Sequence, residues 1–118
     1  MKETYIDFVE KAFEAYSNER IERYCDTVYR EGLSEHGFPR LTANLGFLIA
    51  HGRKTEYKEM FKTMMDFCCK DIPVALKRTN AKDLGNDFSV KEIVLCLLEV
   101  EKSGIFPESV IKGWRESL

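Results

Sequence analysis

The sequence predicts an all-α protein, and three observations carry that prediction. Apolar residues return at three- and four-residue intervals along most of the chain, the period of a helix and not of a strand. Two stretches, LGFLIA at Leu45–Ala50 and IVLCLL at Ile93–Leu98, are apolar around nearly the whole helical circumference. The intervals between periodic segments carry helix-end residues, among them Ser17, Gly32, Gly52, Ser89 and Gly104. The expected architecture is about five helices in antiparallel hairpins, the two apolar helices inside and amphipathic ones covering them.

Taken in order, Tyr5, Phe8, Val9, Ala12, Phe13 and Tyr16 give a first amphipathic helix with an aromatic face. Ser17 and Asn18 supply a break and a cap. Ile21, Tyr24, Cys25, Val28 and Tyr29 then continue as a second helix that Gly32 stops. The loop GLSEHGF leads to HGFPRLTANLGFLIAHG, His36–Gly52, bracketed by Gly37 and Gly52, with Pro39 where a first helical turn tolerates a missing N–H. This is the central helix. Its polar residues Arg40, Asn44 and His51 fall on one edge, a solvated strip or one side of a site.

Tyr57, Met60, Phe61, Met64, Phe67, Cys68 and Ile72 define the clearest amphipathic helix, in which the methionines read as core filler. Pro73 is expected to end or kink it, leaving a connection of roughly a dozen residues through VALKRTNAKDLGND. Ser89 and Glu92 match a capping box, so the second apolar helix is expected to begin there, to be sandwiched like the first, and to end at Gly104. Pro107 launches a last helix through Val110, Ile111 and Trp114.

A chain of 118 residues with 44% hydrophobic and 32% charged residues is expected to fold as a single helical domain, residues 1–118. No apolar run approaches the ~20 residues that a bilayer requires, so no membrane span is expected. The charged N-terminus has no signal-peptide pattern, and Cys25, Cys68, Cys69 and Cys96 sit in apolar helical patterns without metal-ligand spacing. The expectation is a cytoplasmic protein with reduced thiols, no metal and no cofactor, secreted only if an N-terminal signal has been removed. A net charge of −2 argues against broad attraction to nucleic acid.

No phosphate loop, HExxH, GxSxG or EF-hand pattern occurs, and cysteines in apolar patterns argue against Cys–His nucleophilic catalysis. Catalytic residues are therefore not assigned, and the chain is not expected to be active alone. EVEKSGIFPESVIKGWRESL has the outline of a helix-turn-helix reader with Lys112 and Arg115, but Glu99, Glu101, Glu108 and Glu116 in the same stretch would repel phosphate. Asp87, beside Asn86, stands where a helix dipole stabilises a carboxylate without any catalytic purpose.

HGFPRLTANLGFLIAHGR (36–53), NDFSVKEIVLCLLE (86–99) and FPESVIKGWRESL behind them resemble the N-terminal helical part of heparinase II/III-like proteins. The resemblance implies a partial α/α toroid-like bundle and a chain that is either a fragment or a stand-alone relative of a longer polysaccharide lyase-like protein. It also implies an acidic oligosaccharide as ligand. His36, Arg40, Asn44, Asn86 and Asp87, at or near the starts of the two apolar helices, are the residues able to line a cleft for such a ligand. The function expected first is thus a carbohydrate-associated module. The alternative is an interaction or oligomerisation module, a homodimer in its simplest form, with Tyr5, Phe8, Tyr16 and Trp114 as contacts.

Overall fold

The computed structural model describes residues 2–31, 37–79 and 86–117, and side chains at 4–31, 37–70 and 91–117. Among these residues there are six α-helices and no strand, where the sequence predicts about five helices. They are α1 (Lys2–Glu14), α2 (Asn18–Glu31), α3 (Gly37–Ala50), α4 (Lys58–Thr79), α5 (Asn86–Ser103) and α6 (Glu108–Ser117), with one 3₁₀ turn, Thr55–Tyr57, before α4. None of the described helices is long and apolar enough to cross a membrane.

The helix ends have local causes. Ser17 Oγ accepts the Arg20 N–H at 3.1 Å and caps α2, as its position in the sequence predicts. At the end of α3, Gly52 takes φ +80°, its N–H donates to the Ile49 carbonyl and the Arg53 N–H reaches back to that of Leu48. This pair of bonds is a Schellman motif, which needs a residue free to adopt the left-handed region. The turn is then clamped to α1. Arg53 Nη1 lies 2.7 Å from both Asp7 and Glu10, and Lys54 Nζ lies 2.7 Å from Glu14.

Two boundaries differ from expectation. The fourth helix continues past Pro73 to Thr79. A proline removes one helical hydrogen bond, but Ala75, Leu76, Lys77 and Arg78 all favour helix, so the chain regains regular structure beyond it. The fifth helix begins at Asn86, a turn before the Ser89 capping box, so Ser89 stands inside it. Asn86 and Asp87 are themselves residues that suit a helix start, and they win the competition for it.

The helices stack in two rows. In one row α3 lies between α1 and α5, and in the other α4 lies between α2 and α6. Within the first row α3 and α5 run parallel: Arg40 meets Glu92 near their starts, and His51 meets Glu99 near their ends. Helix α4 returns antiparallel to α3, so that Phe38 packs near Phe67 and Thr42 near Cys68. The closest approach is at Gly46, where any Cβ would overlap Cys96 Sγ and come within 2.7 Å of the Phe61 ring.

Burial separates the two apolar helices. From Phe38 to Ile49, α3 contributes Phe38, Leu41, Leu45, Leu48 and Ile49 to the core, each at most 3% exposed. It is central, as expected. The buried hydroxyl of Thr42 is satisfied locally, donating to the Phe38 carbonyl at 2.9 Å. Among the described side chains of α5, Ile93, Cys96, Leu97 and Val100 are buried, while Val94, Leu95 and Leu98 stay 37%, 52% and 56% exposed. The expectation that α5 is sandwiched is therefore corrected: it is the last helix of its row, and among the described residues nothing packs beyond it. At the other end Ile6, Val9 and Phe13 enter the core, leaving Tyr5 and Phe8 outside.

Candidate functional site

Arg40, Asn44 and His51 share one edge of α3, and the structure turns that edge toward α5. Arg40 Nε lies 3.4 Å from Glu92 Oε1, and His51 Nε2 lies 3.5 Å from Glu99 Oε2. Glu92 and Glu99 are seven residues apart, two helical turns, and so fall on the same side of α5. The polar edge is thus a seam of cross-helix pairs. Such pairs at a surface contribute little stability, of the order of 0–1 kcal/mol each, but they fix how one helix lies along the other.

Beside this seam runs a groove of about 310 Å³. Ala43, Asn44 and Phe47 of α3 form its floor, Tyr5 and Val9 of α1 one wall, Leu95 and Cys96 of α5 the other. It continues past Tyr5, Phe47 and Glu99 toward His51, Lys102 and Ser103. The Tyr5 ring stands edge-on to Phe47 with centroids 5.5 Å apart, and Phe47 in turn lies 4.5 Å from the His51 ring. The clamp of Arg53 and Lys54 on Asp7, Glu10 and Glu14 holds α1, and with it Tyr5, at this position.

The chemistry of the lining follows from its ion partners and its burial. Arg40 lies beside Glu92 and His51 beside Glu99, and the sulfur of the groove, Cys96, has a thiol that burial pushes up, with Cys69 and Glu99 adding to the effect. Cys69 is likewise pushed up to about 12 by burial and by Asp66. Burial and Glu22 raise the half-buried Cys25. None of these three thiols is activated as a nucleophile. Among the described residues no group of three or more His, Cys, Asp or Glu side chains is placed to hold a metal ion.

Of the residues expected to line a cleft, Arg40 and Asn44 come together in the groove. Asn86 and Asp87 open α5, and their side chains lie outside the described residues, as does His36. The interaction contacts divide. Tyr5 and Phe8 are 61% and 72% exposed, whereas Tyr16 is half-buried beneath the Arg20 guanidinium. Trp114 is corrected to a core residue: it packs against Phe61 and Phe106, and its indole N–H donates to Asp66 at 2.7 Å. Sequence reasoning misses the floor residue Phe47 and the wall residues Glu92 and Leu95. The seven-residue spacing of Glu92 and Glu99, two acids on one side of α5, is a signal for Glu92, whereas no local pattern singles out Phe47 or Leu95.

In the helix-turn-helix segment Arg115 is paired with Glu101 at 2.7 Å and Glu108 at 3.8 Å, and Lys112 with Glu116 at 3.9 Å. No family model, curated protein or solved structure matches this chain.

Proposed function

We propose that this chain is a helical protein-interaction module whose working surface is the exposed apolar face of α5, continuous with the groove between α1 and α5. The observation that carries this reading is the exposure of Val94, Leu95 and Leu98 on a helix whose opposite side is fully packed. Stacked helical arrays need a polar outer face on their terminal elements to stay soluble, and α5 instead presents three aliphatic side chains in two turns. Tyr5 and Phe8 extend the apolar surface across the groove. A cluster of this kind is what a partner helix or a second copy covers.

A carbohydrate-associated role is the second reading, and it draws on Arg40, Asn44 and Tyr5 sharing one groove, an aromatic ring beside polar groups. It is the weaker one because Arg40 is already matched by Glu92, and Glu99 adds a further carboxylate where an acidic sugar would have to lie.

The test compares wild-type protein with the double variant Leu95→Glu/Leu98→Glu as affinity baits in cells that express the chain, each bait checked for native helicity. The interaction reading expects at least one partner, own copies included, to be retained by wild type and lost at least tenfold by the variant. Identical partner sets overturn it. Retention of acidic oligosaccharides by both baits, with no difference in protein partners, would favour the carbohydrate reading instead.

A further inference from the structure

We infer that the partner covering α5 is a second copy of the same helix, packed antiparallel about a two-fold axis at residue 96; this rests on the docking role proposed for that face. The exposed side of α5 carries Lys91, Val94, Leu98 and Glu101, spaced three, four and three residues apart. That spacing keeps all four on one stripe of a helix, the seam by which two helices pack side by side. The stripe is also palindromic about residue 96. Reversed onto itself, it sets Val94 against Leu98 of the partner subunit, and Lys91 against Glu101 of the partner subunit.

Each copy thus presents an apolar centre, with a cation at one end and an anion at the other, and only the antiparallel arrangement matches all three. A parallel pairing would oppose Lys91 to its own kind. Both charged residues are exposed. Glu101 also accepts from Arg115 at 2.7 Å, so in the dimer Lys91 of the partner subunit shares that carboxylate with Arg115. Leu95, on the groove side of the stripe, would pack at the rim. A two-fold contact of this kind closes on itself, whereas head-to-tail stacking of α5 on the outer face of α1 closes only if its rotation completes a ring.

The experiment is sedimentation equilibrium on full-length wild type, Lys91→Glu, Glu101→Lys and an equimolar mixture of the two variants, with helicity checked by circular dichroism. Wild type is expected to move with concentration from 13.7 kDa to twice that mass. Each single variant opposes like charges twice in its own dimer and is expected to weaken association at least tenfold. The mixture restores both opposite-charge pairs in a heterodimer, and its association constant is expected to return to within threefold of wild type. A wild type that stays at 13.7 kDa overturns the proposal, as does a variant that associates unchanged or a mixture that stays as weak as its components. A monomeric wild type leaves the docking role itself to the bait comparison, since a face lost to Leu95→Glu/Leu98→Glu but not self-paired belongs to another partner.

Discussion

Gly46 shows how much a single position decides. Its missing side chain lets α3 approach α5 and α4 at once, with Cys96 Sγ and the Phe61 ring filling the space that a methyl group would take. Gly46→Ala overpacks that point and is expected to cost about 1–3 kcal/mol in urea denaturation. Cys96→Ala removes one of the obstructing atoms, so Gly46→Ala/Cys96→Ala should lose less than the sum of the two single losses. Strict additivity would contradict this view of the contact. The thiols make a second prediction. Because burial raises Cys69 from 9.0 to about 12, the unfolded chain releases that proton from pH 9 upward while the folded chain retains it. Stability is therefore lost as pH rises from 9 to 12. Cys96 acts in the same direction. The urea midpoint of wild type should fall more steeply between pH 8 and 10.5 than that of Cys69→Ala/Cys96→Ala, a comparison in which every other side chain is shared. Alkylation at pH 8 should reach half-buried Cys25 well before Cys68, Cys69 or Cys96, and equal rates in the folded protein would contradict their burial.

At the level of elements, helix ends are easier to read than helix extents. Gly52 and Ser17 stand where they are expected because each does something only a few residue types can do: one adopts a left-handed φ, the other offers a short oxygen acceptor to an unpaired N–H. Gly52→Ala should accordingly cost about 1 kcal/mol, read as a lower urea midpoint. Pro73 and Ser89 mislead because both signals are conditional. A proline ends a helix only when the residues after it cannot resume the helix, and a capping box starts one only when no earlier start is available. The same distinction governs α3 and α5. Both are apolar around most of their circumference, but composition records how much a helix could bury and not which neighbours it has. Phe38, Leu45 and Ile49 are covered from two sides, while Leu95 and Leu98 remain more than half exposed. The exposure of Tyr5 and Phe8 has the converse reason: the apolar arc of α1 is wider than the stripe Ile6, Val9 and Phe13 that its neighbours can take in.

The whole molecule is two rows of stacked helices, and its candidate surface is where one row stops. The all-α class follows from periodicity, but the order α1–α3–α5 and the parallel course of α3 and α5 depend on long-range pairs such as Arg40 with Glu92, which local patterns do not encode. The groove is legible to the same degree: Arg40 and Asn44 are found from one helix edge, while Phe47 and Leu95 appear only when three helices are assembled. A docking role requires α5 to have one side in the core and one side available to a partner. Leu97 and Leu98 are chemically identical neighbours, 5% and 56% exposed, so the direct measurement is thermal unfolding of Leu97→Glu beside Leu98→Glu at a concentration where wild type is monomeric. Burying a carboxylate at 97 should abolish the cooperative transition, while Leu98→Glu should melt within a few degrees of wild type. Equal destabilisation by the two substitutions would contradict that two-sided character.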